Sequence, residues 1–499
     1  MLVYGYAFAV YGRFFLIYLL YPLVPFLLAV VWLLPDTSRA PTMALDRLLF
    51  AFIVALFCWP DYLALALSGM PWITAIRLVT IPLAIVLLVS LSVSKQFRAE
   101  LIETLSAAPW IWKGYVVFMA MGVVTLPLSR DFGNSINKLL VAQLAWTTVF
   151  FASVYVFRRP GRVVALGAMV WFVVLFQIPI VFYEVTYHHL PWAGRIPWFL
   201  AVSDDHIVRL LQGNNGRAAT GLYRTLSRFT TPLGLGEFLA LGLPFVLYQI
   251  VEARNLLVRV AAAATVPAVF WIVLRCDSRL AVVGFLMSLL LFGLVIGVRH
   301  WRSHPRSPLG PAMVLFYPFV FVAAIALSFV WRRLEVMVWG GGATQASTNA
   351  RQTMYMEGIP KILKNPIGHG MGQGAETLGF YNPSGAISID TYYISVGLEY
   401  GVIGFVAFYG MLIYAICKSG LVLLETRDPE TMWLAPTAIA LCNFLVIKAV
   451  FSQQENHPFV FLLLGVVVAL LARARKAEPD LLRRNMLAVT GIGGGGRDS

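Results

Sequence analysis

Arginines accumulate in two polar interruptions of an otherwise apolar chain, and an aspartate opens the apolar run that follows the second. The first interruption ends Arg224-Thr-Leu-Ser-Arg228-Phe-Thr-Thr-Pro232-Leu-Gly-Leu-Gly-Glu237; in the second, Arg351, Lys361, Lys364 and His369 precede Asp390-Thr-Tyr392-Tyr393. Guanidinium groups are forked donors matched to phosphate oxygens, so the pattern points to an anionic ligand. If the approach to Pro232 is helical, Arg224 and Arg228 share one face and reach one diphosphate. Pro232 suits a first helical turn and Thr230 or Thr231 its cap, and the amides of such a helix N-terminus attract phosphate. Arg279 closes the short turn Cys276-Asp-Ser; it is either a further phosphate contact or the partner of Asp277.

Counting about 100° per residue from Asp390 aligns Tyr393, Gly397, Gly401 and Gly404 in one stripe, with Glu399 on the opposite side. The Gly397–Gly401 step predicts close helix packing. Asp390 at the head of that helix either takes a proton from a hydroxyl or caps the helix; both roles suit a carboxylate there. Glu237, inside an apolar run, is either paired with a cation or functional. Asn365-Pro-Ile-Gly-His369-Gly-Met-Gly-Gln-Gly374 is a Gly-rich turn whose amides could face an anion, although it lacks a nucleotide-binding pattern. His369 is a general base or a hydrogen-bonding loop residue. Lys448 snorkels to the surface or pairs with Glu237 or Glu399.

The elements that must position these residues are membrane helices. The chain is 59% hydrophobic and 12% charged, beyond the roughly 45–50% apolar content of a soluble domain. Apolar stretches of about 20 residues recur throughout. They predict an all-α integral membrane protein of about 12–13 spans, near 14–35, 48–67, 70–93, 111–128, 138–157, 163–185, 231–251, 258–275, 280–298, 310–330, 390–416, 432–451 and 457–472. Met1–Pro35 reads as an uncleaved first span with an interfacial lead-in. Cys58, Cys276, Cys417 and Cys442 have no metal-ligand or disulfide spacing, and no metal or cofactor is expected.

Basic connections at Lys95–Arg98, Arg158–Arg162, Arg299–Arg306 and Arg473–Lys476 assign one face to the cytoplasm. Two larger loops then share the other face. The division is a scaffold (1–185), a loop (186–229), central helices (230–330), a second loop (331–389), C-terminal helices (390–473) and a tail (474–499). The outer loops are themselves basic, through Arg195, Arg209, Arg217, Arg224 and Arg228 in one and Arg332, Arg333, Arg351, Lys361 and Lys364 in the other. The net charge of +14 is thus not orientation alone; it marks an outward anion site and calls for no nucleic acid.

Several separated segments resemble the O-antigen ligase and polymerase superfamily, Wzy-type polymerases most of all. They are Arg224-x-x-Ser-x-Phe-x-x-Pro-Leu-x-Leu-x-Glu237, Asp277-Ser-Arg279, Arg351 with the later Asn365–Gly372 turn, and Asp390-x-x-Tyr-x-x-x-x-Leu-Glu-Tyr-Gly-Val-Ile-Gly404. The resemblance implies a GT-C-like membrane glycosyltransferase with periplasmic catalytic loops in a bacterial inner membrane. It implies transfer from an undecaprenyl-diphosphate-linked glycan without an obligatory metal, joining repeat units into surface polysaccharide. By position, Arg224, Arg279 and Arg351 would hold the diphosphate, with Arg228, Glu237, His369 and Glu399 nearby. Asp390 would activate the acceptor, standing where ligases have His-Asn. Tyr392, Tyr393 and Trp192 could stack on sugars or anchor at the interface. A flippase and a chain-length regulator are the partners so implied. The alternatives are a ligase acting on lipid A core and a transporter of the lipid-linked glycan.

Overall fold

The computed structural model describes residues 29–37, 39–65, 73–201, 205–213, 223–330, 345–382, 385–426 and 428–490, with Phe26 and Glu335. Most of the expected first span, and Arg217, Arg332 and Arg333, lie outside them.

The protein is an all-α integral membrane protein. Its scaffold is α1 (Thr42–Cys58), α2 (Ala75–Val93), α3 (Lys95–Ser106), α4 (Pro109–Val124), α5 (Phe132–Ala142), α6 (Thr148–Val156) and α7 (Arg162–Tyr187). Then follow α8 (Asp205–Leu211), α9 (Pro232–Glu252), α10 (Leu256–Arg275), α11 (Arg279–Ser303) and α12 (Leu309–Val330). The last elements are α13 (Gln345–Lys364), α14 (Gly374–Leu378), α15 (Tyr392–Glu425), α16 (Leu434–Lys448) and α17 (His457–Thr490). Among the described residues, 11 segments are long and apolar enough to cross a membrane.

Three boundaries differ from expectation. The span expected at 48–67 is α1, which starts at Thr42 and stops at Cys58, because the residue before Pro60 is biased to extended geometry. Beyond it, Ala64–Leu65 pairs antiparallel with Ile73–Thr74 on one side and Leu200–Ala201 on the other. The loop expected at 331–389 contains the 20-residue α13, and the tail expected from 474 continues as helix to Thr490.

Charge sorts the two ends of the bundle. At one end Asp46 accepts Arg159 and Arg162, Glu100 accepts Arg158, and Arg473 bridges Asp428 and Glu430. These are the basic connections that the sequence assigns to a single face. At the centre, α9, the segment ending in α16 and the first part of α17 are mostly buried within the protein. Small residues let backbones approach: Gly284 faces Ala240, Gly236 faces Ala281, and Gly465 faces Ser153. In a bilayer such contact is a main source of helix association, since lipid is as apolar as leucine.

α15 is two helices rather than one. The rings of Tyr393 and Tyr409 stack 4.3 Å apart, although a straight helix would separate them by roughly 24 Å. The chain turns back at Gly401, whose φ of 68° and ψ of −173° lie in a region essentially reserved for glycine. Tyr392–Tyr400 therefore folds down beside the start of the long apolar span. The expected stripe is broken at this point: Gly397 meets Ile362 of α13, whereas Gly404 lies against Met121 of α4.

The Gly-rich turn locks the reversal. Val402 N–H donates to Pro366 O at 2.8 Å, and the amides of His369 and Gly370 donate to Leu398 O and Glu399 O at 2.8 and 3.2 Å. Backbone groups released by the break are thereby satisfied, which the interior of a membrane protein demands.

Candidate functional site

The arginines predicted to act together converge only in part. Residues 223–231 are not helical, and Ser227 has φ of 52°. Glu184 of α7, fully buried, organises this loop: it accepts Tyr223 Oη at 3.0 Å, Leu226 N–H at 3.0 Å and Ser227 N–H at 2.9 Å. Gln177 accepts Ser227 Oγ at 2.7 Å. The loop sends Arg224 to Cys276 O, at 3.0 Å from Nε. It turns Arg228 the other way, buried with its guanidinium 3.9 Å from the ring centre of Phe229. A shared helical face for Arg224 and Arg228 is thus corrected. Glu184 was missed, although a lone carboxylate in an apolar run is the signal that finds it.

Arg224 and Arg279 lie at the two ends of one turn, Cys276–Arg279, in which Asp277 has φ of 44°. Arg279 Nη1 donates to Thr348 Oγ1 of α13 at 2.9 Å. Arg351 follows one turn later on the same face of α13, and Met354 another turn on; each step is about 4.5 Å. Met354 Sδ accepts the Asp390 amide at 3.3 Å, and Tyr355 Oη accepts Thr391 Oγ1 at 2.9 Å. α13 thus strings together Arg279, Arg351 and Asp390. Asp390 is half-buried, the N-cap position is Thr391, and no side-chain cap bond forms there. The capping alternative for Asp390 is not what the structure adopts.

Other expected site residues are absorbed into the fold. Glu237 forms a fully buried ion pair with Lys448 at 2.9 Å, and its other oxygen accepts Asn456 Nδ2 at 2.9 Å. This is the cation partner the sequence left open. Tyr392 is fully buried against His457, at 4.7 Å between rings, and is not a sugar platform. Trp192 donates to Tyr62 Oη at 2.9 Å inside a small outer cluster with Leu190 and Leu226. His369 Nδ1 lies 3.1 Å from Leu398 O at the helix reversal, the hydrogen-bonding role that the sequence offered.

Both backbone anion sites expected from the sequence hold the protein's own carboxylates. At the α9 N-terminus, Thr230 N–H donates to Glu455 Oε1 at 3.1 Å, its hydroxyl donates to the same oxygen, and Thr231 Oγ1 caps Gly234 N–H. In the Gly-rich turn, Gly374 N–H donates to Glu399 Oε1 at 3.3 Å, joined by Ser395 Oγ at 3.0 Å. The second oxygen of each glutamate is enclosed by the protein, with Gly372 N–H beside Glu399 and Arg228 beside Glu455. Burial pushes the Glu455 carboxyl above the ordinary carboxylate range, and the nearby Arg228 opposes this.

Glu399 and Glu455 border one cavity of about 600 Å³. Its walls come from Asp61, Thr74, Arg77 and Thr80, from Asn137–Trp146, and from Thr230, Met371, Ser395 and Ser452–Glu455. A π-helical segment, Gln143–Thr147, re-aims Leu144–Trp146 toward it. Such bulges are frequent at functional positions. Across helix Tyr392–Tyr400 lies a second space of about 490 Å³, an apolar groove between α13 and the reversed helix, lined by Tyr355, Ile359, Leu363, Tyr393, Ile394 and Phe405. The groove and the arginines share α13; the groove and the cavity are divided by a single short helix with Ile389–Asp390 at its foot.

A polytopic helical membrane protein with an arginine-rich site at one end is the class this arrangement defines. Residues 264–409, from within α10 through Arg279, Arg351 and Asp390 to Tyr409, match the family model described as O-antigen ligase. The likeness is of that segment, and the rest of the chain lies outside the match. A search of curated proteins returns no match.

Proposed function

We propose that the protein joins lipid-diphosphate-linked oligosaccharide repeat units into a surface polysaccharide, on the outer side of a bacterial inner membrane. The observation that carries this reading is that Arg279, Arg351 and Asp390 all meet on α13, Arg279 through Thr348 and the Asp390 backbone through Met354, with an apolar groove farther along the same helix. A polyprenyl diphosphate presents the matching sequence of parts, an isoprenoid tail for the groove and a dianionic head for the arginines. In the transfer, an acceptor hydroxyl oxygen attacks the anomeric carbon of the donor sugar as the bond from that carbon to the phosphate oxygen breaks. The hydroxyl proton passes to the Asp390 carboxylate. The lipid diphosphate leaves with the electron pair, and Arg224, Arg279 and Arg351 stabilise its developing charge. Arginine supplies this stabilisation from fixed positions.

Polymerase is favoured over ligase by Asp390, which stands where the ligases that the chain resembles carry a histidine. The test is the pool left in cells lacking the gene. Single lipid-linked repeat units are expected; long lipid-linked polymer would make the protein a ligase. Purified protein in nanodiscs should also elongate a lipid-linked repeat unit, and transport without elongation would make it a flippase.

A further inference from the structure

We infer that the cavity bordered by Glu399 and Glu455 is a saccharide-binding site, distinct from the arginine cluster, that holds the sugar end of the acceptor. This rests on the glycosyl-transfer reading. The two glutamates are fixed by donors to one oxygen each, Ser395 and Gly374 for Glu399 and Thr230 for Glu455. Their remaining oxygens are enclosed by the protein, beside Gly372 N–H for Glu399 and Arg228 for Glu455. Both carboxylates stand in the cavity wall, and carboxylate oxygens accept hydrogen bonds, so the matching occupant carries hydroxyl or amide hydrogens.

The rest of the lining narrows the class. Its basic side chains are Arg77 and Lys138, set among Asp61, Glu399 and Glu455, and the paired arginines that suit a diphosphate are on α13 and at its neighbour Arg279 instead. No three acidic, histidine or cysteine side chains among the described residues stand close enough to hold a metal ion. Asn137, Ser395 and Gln453 add neutral donors and acceptors, while Val141, Ala142 and Ala145 present an apolar wall. A sugar ring has both faces to offer, hydroxyls at its edge and C–H groups on its plane. The volume of about 600 Å³ lies within the roughly 300–1,000 Å³ of small-molecule sites. The cavity also opens at the right place: Ile389 lines it, and the next residue is Asp390.

The position follows from helix lengths. α16 ends at Lys448 and α17 begins at His457, level with Tyr392 and Phe408. The reversal at Gly401 stands about 10 Å beyond that level, seven residues farther along the span. The cavity is the recess between the short helix ends and the overhanging turn.

The test uses the full-length protein in nanodiscs and the water-soluble oligosaccharide released by mild acid from the lipid-linked pool of cells lacking the gene. This probe carries no diphosphate. Saturation-transfer NMR should detect its binding to the wild type. Filling the cavity by Ala375→Trp or by Ser452→Phe should abolish the signal, and Glu399→Gln or Gln453→Ala should weaken binding about tenfold. Arg279→Ala with Arg351→Ala should bind the oligosaccharide as the wild type does while losing elongation. Undiminished binding in both filled variants would overturn the saccharide site. Normal elongation by the arginine variant would instead overturn the donor assignment and leave the cavity result standing.

Discussion

The two ends of the bundle treat charge in opposite ways. At the end carrying Arg158, Arg159, Arg162 and Arg473, carboxylates sit in ion pairs of 2.6–3.2 Å, Asp46 buried and Glu100, Asp428 and Glu430 partly exposed. At the other end, Glu399 and Glu455 each keep a second oxygen enclosed by the protein, and Arg228 is buried. Both ends are basic in sequence, so composition does not separate them. What separates them is the kind of partner. At the first, closed end the carboxylates face arginines, even though Asp46 Oδ1 is itself buried without a hydrogen bond. At the second, open end Glu399 and Glu455 are held by amides and hydroxyls in the wall of a cavity.

The largest effect that would break this contrast concerns Asp390. It sits at the foot of the helix that divides groove from cavity, and the helix start is not capped by its side chain. Asp390→Asn should lower elongation by about 10²–10⁴-fold, the range of a proton-accepting group. Its expression and thermal midpoint should match the wild type. A variant that elongates normally would return Asp390 to the closed, structural kind of charge.

Next in size is Lys448, the exception at the open end. Its pair with Glu237 is fully buried at 2.9 Å, so Lys448→Met should cost about 3–5 kcal/mol by stranding a carboxylate. Adding Glu237→Gln should recover much of that loss. Lys476→Gln, which removes a solvent-exposed pair with Glu103 at the other end, should cost less than about 1 kcal/mol. Chemical denaturation in detergent measures all three, and similar costs for Lys448→Met and Lys476→Gln would erase the distinction drawn here.

Gly401 tests whether the open end depends on the helix reversal. A Cβ there would stand 2.2 Å from Pro366 O and 2.3 Å from Ile367 O, in a backbone region that costs a side chain about 1–3 kcal/mol before any clash. Gly401→Ala should lower stability by at least that amount and abolish elongation, because Glu399 and Asp390 are both placed by the reversed helix. Gly410, with open space around its Cα, is the control: Gly410→Ala should change neither.

Much of this was legible in the sequence where one residue type has one physical use. The spans follow from apolar length, and the paired end follows from short basic connections. The arginines at 279 and 351 follow from charge where membrane orientation does not call for it. What was illegible is the reversal. Gly401 continues an apolar, helix-compatible run, and nothing local says that the loop before it will supply the lost hydrogen bonds through Pro366 and Gly370. The stripe counted from Asp390 failed for that reason. The two anion sites were legible as sites, at Thr230–Pro232 and at Gly368–Gly374. Their occupants, Glu455 and Glu399, come from segments far along the chain, and local spacing carries no record of them.

The smallest effect is the pH dependence that Glu455 imposes. Burial raises its folded-state pKa above the unfolded value, and Arg228 on one side and Asp61 on the other act in opposite directions. A carboxyl raised in this way favours the protonated form in the folded protein. Its contribution is fully present below the unfolded pKa, about 4.3, and is lost as pH rises through the higher folded value. The thermal midpoint of the ligand-free wild type should therefore fall slightly across the window just above the ordinary carboxylate range. Glu455→Gln, which cannot ionise yet can still accept from Thr230, should flatten that slope, with a difference of about 2 °C or less in a chain of this size. The dependence should reverse if Glu455 were held ionised by Arg228 in a closed pair like those at the opposite end. Stability would then rise with pH over the same window, and the sign of the slope alone separates an open carboxylate from a paired one.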